Sequence, residues 1–426
     1  MVVVVRDVGT TWVAQTAATI RAAGCLAGLV SGPVTGDEQA ELAGLVDRFV
    51  VVDDPTDPGL LAAAAREISS GHRLSALYSS SDGAVVAAAL AAELLGVGRT
   101  PPAGLAAARN KYATRRAMAA AGLPTPPFAL MGDAAEAADV ADAVPLPAVI
   151  KPVNGAGSHL VQRVTSVEEL ATAYRVIADR LLDTPQLRHL YTAQLTGTGT
   201  PIDPTTTFLV EGMLRGHEYT VDLIIRDGEV ELLPLVDKFF VDDRFFERGF
   251  VCPPTDLDPA MARDIGAAVT DAVLAVGLDN TVACVEVIVD EVLGPTVVEI
   301  NCRPAGQIMG TLYDLRIGVN TAAEVIGLAR GVPAVRTEPK LPIPIATLTL
   351  FPEGTGRLRA VHGLDDVADL PDVIRVVTSV APGDLITEDY EIFAVNLIVA
   401  GFEDEADLMD IYAVADKLVR FEVEPR

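Results

Sequence analysis

Cysteine is scarce. Four thiols, Cys25, Cys252, Cys284 and Cys302, are spread over 426 residues, and no two fall at a CxxC spacing. That usage reads as a reduced, cytoplasmic chain and argues against a zinc site. Long apolar runs are also missing. Half of the residues are hydrophobic, yet no uncharged apolar stretch approaches the ~20 residues of a membrane span. The opening Val2-Val3-Val4-Val5 runs straight into Arg6 and Asp7, the pattern of a buried strand and not of a signal peptide. Basic residues are few, 32 against 59 acidic, for a net charge of −27. A field of that sign repels nucleic acid and anionic lipid, so neither is an expected partner. An anionic ligand therefore needs a local basic lining, and lysines and arginines in glycine-rich or strand contexts become informative. No GxGxxG is present, which argues against a dinucleotide site and a dehydrogenase.

What is there is an α/β pattern in a chain long enough for roughly two to four domains. Strands are expected at Val2–Val5, Leu26–Val30, Phe49–Val52 and Leu74–Tyr78. Helices Thr11–Ala23, Pro58–Ile68 and Ala84–Leu95 lie between and after them. Such alternation implies a parallel sheet, with Gly9-Thr10 and Ser79–Asp82 at the strand-to-helix junctions where these sheets bind ligands. Thr100-Pro101-Pro102 punctuates the chain, and a single helix is predicted over Gly104–Ala121. Val149–Lys151 and Leu160–Val164 read as strands around a glycine loop. Ser166-Val167-Glu168-Glu169 fits a capping box that opens a helix reaching about Leu182. Thr196–Thr207, rich in glycine and threonine, is expected to be a mobile loop.

Beyond it come strands Phe208–Glu211, Glu218–Arg226, Val230–Asp237, Val282–Asp290 and Thr296–Asn301. Helices Met261–Val276 and Asn320–Arg330 are predicted to cover them. A proline-rich boundary at Val332–Pro344 precedes a C-terminal stretch with one late helix, Glu405–Val419. The expected domains are thus 1–102, 103–331 (with a lid at about 127–210) and 332–426.

Three constellations carry chemistry. Glu286 lies four residues before Asp290 and Glu299 four after Pro295, so a symmetric hairpin sets the carboxylates opposite one another, with Cβ atoms about 5 Å apart. Asn301, two residues on, faces the same way. Two carboxylates so placed repel unless a cation lies between them, and oxygen-only ligands suit Mg²⁺, with Mn²⁺ as a substitute. A solvated sheet face is the competing reading. The second is Lys151-Pro152-Val153-Asn154-Gly155-Ala156-Gly157-Ser158-His159, whose backbone N–H groups can fold over phosphate oxygens while lysine supplies a point charge. It lacks the GK[ST] of a Walker A loop, and an ordinary hairpin also explains it. The third is Val210–Thr220, where a strand edge and turn can offer backbone groups to an adenine and Glu218 can accept from ribose hydroxyls. A plain β-turn with exposed charge accounts for those residues equally.

In this order the pieces resemble the ATP-grasp superfamily, and most closely its L-amino-acid ligases and carboxylate–amine ligases, over roughly Ala103–Arg330. The resemblance implies an ATP-grasp fold, α/β (α+β) in class, with an N-terminal parallel-sheet domain, a two-part central domain and a small C-terminal domain. It makes Lys111 and Lys151 the nucleotide-contacting lysines, and Gly155, Gly157 and Ser158 part of the phosphate-covering loop. Glu211 and Leu214 fall at its adenine-contacting hinge and Glu218 at its ribose position. Glu286, Glu299 and Asn301 match the magnesium ligands, and Arg303 the arginine that steadies an anionic transition state. Lys238 falls where relatives place a charge near the acyl phosphate, with a surface ion pair to Asp237 or Asp242 as the alternative. Gln307 is a candidate for reading a substrate amide or amino group, or else a loop residue capping the following helix. Cys302 departs from the family pattern; a small buried filler is the preferred reading and a reactive thiol the other.

The implied activity uses ATP and Mg²⁺ to convert a carboxylate, an amino acid's by preference, into an acyl phosphate that an amine then attacks. A dipeptide or γ-glutamyl-type amide results. The implied partners are small carboxylates and amines, with a homodimer left open. A carboxylase or purine-pathway-type enzyme activating bicarbonate or formate is the competing reading, and a non-catalytic nucleotide-binding regulator is a reading of another class.

Overall fold

The computed structural model describes residues 1–7, 11–183, 188–192, 202–341, 343–388 and 391–425. The N-terminal strands are β1 (Val2–Arg6), β2 (Ala27–Ser31), β3 (Arg48–Val51) and β4 (Ala76–Tyr78). Among them run α1 (Thr11–Ala22), α2 (Gly36–Leu45), α3 (Pro58–Ile68) and α4 (Val85–Leu94). The strands form a parallel sheet in the order β3-β2-β1-β4. β1 is an unbroken valine run because both of its faces are covered, and all five of its residues are buried. α3 starts where its sequence says it must. Pro58 fills the first turn, which needs no N–H, and Asp57 accepts from Gly59 and Leu60 N–H. Gly9 and Thr10 lie outside the described residues.

The expected single helix after Pro101 is two, α5 (Pro102–Arg109) and α6 (Lys111–Ala120). Asn110 breaks it: its backbone is extended, its side chain caps Ala113 N–H, and the Lys111 N–H leaves the helix to bond Val153 O at 2.9 Å. Lys111 is thereby pinned against the strand that carries Lys151. Gly104 is needed for packing, since a Cβ there would sit 2.1 Å from Gly277 O.

A second sheet runs β5-β8-β6-β7 and is antiparallel. It comprises β5 (Phe128–Met131), β6 (Ala148–Pro152), β7 (Gln162–Val164) and β8 (Phe208–Gly212), with helices α7 (Ala137–Ala143), α8 (Val167–Arg180) and α9 (Arg188–Thr192). Leu170, Ala173 and Ile177 of α8 pack on Ile150, Phe208 and Val210. Ser166 caps α8 by accepting from Glu169 N–H. The first half of Thr196–Thr207, residues 196–201, lies outside the described residues.

The largest sheet begins with β9 (Gly216–Arg226), β10 (Glu229–Leu232), β11 (Val236–Val241) and β12 (Glu247–Cys252). After α10 (Pro259–Ala275) come β13 (Thr281–Asp290) and β14 (Gly294–Asn301), then α11 (Gln307–Ile317) and α12 (Thr321–Arg330). The predicted strand Val230–Asp237 is divided at Leu233-Pro234. β10 pairs with the outer half of β9, and β11 with Tyr219 and Thr220 of its inner half. Proline supplies no N–H to a ladder, so the break falls there.

The C-terminal segment contains β15 (Ile345–Leu350), β16 (Gly356–His362), α13 (Leu364–Ala368), β17 (Val373–Thr378), β18 (Leu385–Ile386), β19 (Val395–Ala400), α14 (Glu405–Leu418) and β20 (Arg420–Pro425). Its strands continue the central sheet, whose order is β14-β13-β9-β11-β12-β15-β19-β17; β16, β18 and β20 form a separate small sheet. The join is the antiparallel pairing of Gly249–Cys252 with Ile345–Leu348. No helix of the described residues is long and apolar enough to cross a membrane.

Candidate active site

A cavity of about 740 Å³ opens between the second sheet, the central sheet and the N-terminal helix α1. Glu286 on β13 and Glu299 on β14 are direct cross-strand partners. The turn closes at Asp290–Gly294, one residue short of the predicted Asp290–Pro295. A β-bulge between Glu286 and Val287 restores the count, so the two glutamates still meet. Asn301 joins them, its Nδ2 donating to Glu286 Oε1 at 3.2 Å. Lys111 Nζ donates to Glu299 at 2.8 Å and to Gly155 O at 3.2 Å. Glu286, Glu299 and Asn301 turn only oxygen and amide donors into the cavity, the chemistry that fits Mg²⁺. Burial, followed by the nearby Glu247, Glu299 and Glu218 charges, raises the Glu286 carboxyl to about 7 against the pull of Lys238. This is the signature of carboxylates short of positive charge.

Lys238 is no surface residue. Its ammonium is buried among Glu218 at 2.6 Å, Glu247, and Glu286 at 3.2 Å. The surface pairs considered from sequence do not form: Asp237 bonds His217, and Asp242 bonds Arg244 and Arg248. The ammonium sits amid the Glu218–Glu247–Glu286 group, whose oxygens lie within 4.8 Å of one another. Glu391 extends this knot, accepting from Glu247 N–H at 2.6 Å, and burial with the adjoining Glu247 charge raises its carboxyl to about 9.

The glycine loop lies across the cavity. Gly157 adopts φ of 57°, in the left-handed region glycine tolerates. Its carbonyl accepts from Glu391 N–H at 3.3 Å, and Ser158 Oγ donates to Phe245 O at 3.2 Å. Gly155 stands close to Lys111, whose Nζ a Cβ there would meet at 3.4 Å. His159 is buried and bonded to Tyr191 at 2.7 Å. Lys151 is tied to Glu211 at 2.6 Å, and Arg115 grips the same carboxylate and the carbonyls of Val297 and Val298. Burial opposes ionisation of Glu211, but these two cations outweigh it and hold its carboxyl at about 2. Leu214 and Glu218 also line the cavity.

Arg303 lies just beyond β14, its Nε donating to Asp82 Oδ2 at 2.9 Å. Asp82 comes from the Ser79–Asp82 junction after β4 and takes Arg109 Nη1 on its other oxygen at 3.0 Å. The N-terminal sheet thus orients an arginine of the central domain. Asp222, invisible to the sequence argument, is fully buried and accepts from Ala305 N–H through both oxygens at 3.1 Å, fixing the turn after Arg303. Burial alone lifts its carboxyl to about 7. Cys302 is a buried filler, its thiol pushed by burial to about 12. Gln307 opens α11, but its side chain lies outside the described residues.

A model of the ATP-grasp domain matches residues 144–312, and one of the L-amino acid ligase C-terminal domain 2 matches residues 348–424. Residues 144–312 are thus an ATP-grasp domain. The chain is 31% identical over 278 residues to the uncharacterized protein y4rH of Sinorhizobium fredii, a match covering 64% of the chain and 52% of that protein. It is 29% identical over 160 residues to the D-alanine–D-alanine ligase of Ralstonia pickettii, covering 35% and 40% respectively. The chain spans about half the length of the curated relatives it matches. The crystal structure of the L-amino acid ligase from Bacillus licheniformis superposes with a TM-score of 0.80 at 20% identity, covering 100% of this chain and 99% of that one. At that identity the likeness is one of fold.

Proposed function

We propose that this protein is an ATP-dependent ligase that activates an amino acid's carboxylate as an acyl phosphate and couples it to an amine. The observation that carries the reading is the Glu286–Glu299 pair, set with Asn301 beside Lys111 and under the glycine loop. The L-amino acid ligase C-terminal model, and the D-alanine–D-alanine ligases among the relatives, favour amino acids over bicarbonate or formate as the acid.

Lys111, Lys151 and the N–H groups of Gly155, Gly157 and Ser158 bind the triphosphate and hold the γ-phosphoryl group in line with the incoming carboxylate oxygen. Glu286, Glu299 and Asn301 would hold Mg²⁺, which when bound neutralises charge on the phosphate oxygens. Leu214 and Glu218 line the nucleoside end of the cavity. A carboxylate oxygen bonds to the γ-phosphorus as the bond to the β-phosphate oxygen breaks, leaving ADP. The amine nitrogen then adds to the acyl carbon, and Arg303, oriented by Asp82, receives the oxyanion. Collapse expels phosphate, the nitrogen loses its proton, and an amide remains. Lys238, held among Glu218, Glu247 and Glu286, keeps that wall of carboxylates from repelling the anionic intermediate.

The test is Glu299→Gln. ATP turnover with pairs of L-amino acids, followed by ADP release and mass spectrometry of products, is expected to vanish while the circular dichroism spectrum stays that of the parent. Undiminished turnover in this variant removes the assignment.

A further inference from the structure

Among the described residues six lysines and arginines line the cavity, and five are already committed to carboxylates. Lys111 holds Glu299, Arg115 and Lys151 share Glu211, Lys238 has three glutamates, and Arg303 holds Asp82. The sixth, Arg375 on β17, lines the cavity with no hydrogen-bond or ion-pair partner among the described residues. In a chain with 59 acidic residues against 32 basic ones, a guanidinium left without a carboxylate at a cavity wall is the exception.

Its orientation is built into the strand. A β-bulge falls between Val373 and Arg375, where two residues of β17 oppose one of β19. Side chains two apart on a regular strand share a face. Here Val373 packs with Val376 into the cluster beneath α14, whereas Val377 packs on the opposite face with Met309 and Leu312 of α11. The bulge switches the faces, so Arg375 joins Val377 and Ser379 on the α11 side, where the cavity lies. Bulges re-aim side chains in this way beside functional sites. Ser379 is fixed next to Phe393 by its N–H bond to Ala394 O at 2.9 Å, and both line the cavity. This wall lies outside residues 144–312, the part matched to the ATP-grasp domain.

We propose that Arg375 anchors a second carboxylate of the substrates, one other than the carboxylate that is activated. The planar guanidinium fork matches a carboxylate through two parallel hydrogen bonds. The second carboxylate has two sources, the α-carboxylate of the amine-donating amino acid or the side-chain carboxylate of an acidic acyl donor. This rests on the ligase reading and deepens it: one substrate is a free-acid amino acid whose charge is read by the C-terminal segment.

The experiment uses the full chain with ATP and Mg²⁺. All pairs of L-amino acids are screened by ADP release, and the best pair is taken to Arg375→Gln and Arg375→Lys. The KM for the anchored substrate is expected to rise on the order of tenfold to a hundredfold in Arg375→Gln, the worth of a charged hydrogen-bonded pair. Arg375→Lys keeps part of the affinity, and the KM for ATP is unchanged in both. Replacing the amine substrate by its carboxamide, or glutamate and aspartate donors by glutamine and asparagine, identifies the source. The analogue that lacks the anchored carboxylate is turned over weakly by the parent and equally weakly by Arg375→Gln. An unchanged KM in Arg375→Gln, an equal loss with carboxylate and carboxamide, or a matching rise in the KM for ATP overturns the proposal and leaves the ligase reading standing. No ADP release by the parent with any pair overturns the ligase reading itself, and this inference with it.

Discussion

Two charge knots of opposite design line the cavity. At one, the Glu211 carboxylate lies between Arg115 and Lys151, and its pKa falls to about 2. At the other, the Lys238 ammonium lies among Glu218, Glu247 and Glu286, with Glu391 behind, and the carboxyls of Glu286 and Glu391 rise. The first knot has its countercharge and acts as a rivet joining α6, β6 and β8. The second has more negative charge than one lysine can balance. A buried cluster in that condition is stabilised by a further cation, and the knot that looks weaker in isolation is the one suited to hold it.

The contrast breaks most readily at the rivet. Glu211→Gln leaves two buried cations without a countercharge, and urea unfolding should show a loss of roughly 3–5 kcal/mol. A loss below about 1 kcal/mol would mean that water compensates the cations and that the knot is no rivet. Magnesium sharpens the comparison next. At a hundred times its dissociation constant it should add about 2.7 kcal/mol to the stability of the parent. The same increment should persist in Glu211→Gln, vanish in Glu286→Gln, and reverse with a chelator. An increment surviving in Glu286→Gln would place the ion elsewhere.

The last comparison is the pH dependence without metal. Glu286 has a folded pKa near 7 against an ordinary 4.5, so between those values the folded chain binds more protons than the unfolded one. Stability therefore falls as pH rises from about 4.5 to 7 and levels off above. Glu211 has the opposite sign: its contribution is full above 4.5 and is lost as pH falls toward 2. Denaturation midpoints across this range in chelator, compared with Glu286→Gln, test both. A slope between pH 5 and 7 that the variant does not change would assign it to another group.

Local patterns made much of this legible from sequence. The valine run of β1, the Asp57-Pro58 start of α3 and the Ser166 cap all state their structure within a few residues. The Glu286–Glu299 pairing was also legible, but by a count whose one-residue error at the turn is cancelled by a bulge that alternation does not reveal. The parts that escaped are assembled from distant segments. Glu218, Glu247 and Glu391 reach Lys238 from β9, β12 and the stretch before β19, and Asp82 meets Arg303 across 221 positions of sequence. Without knowledge of strand order, a surface pair with Asp237 or Asp242 stays open as the alternative for Lys238. Asn110 was misread because a polar residue inside a helical pattern looks tolerable until its side chain caps the next helix.

β17 ends the central sheet, bonded to β19 along one flank and closing the strand order. An outermost strand shares its ladder with a single neighbour, so lengthening, bulging or resurfacing it disturbs fewer backbone bonds than the same change farther in. The β13–β14 hairpin that carries Glu286 and Glu299 occupies the opposite end of the same sheet, with five strands between. Descendants of this scaffold can therefore redraw the margin at β17 while the β13–β14 hairpin at the far side stays undisturbed.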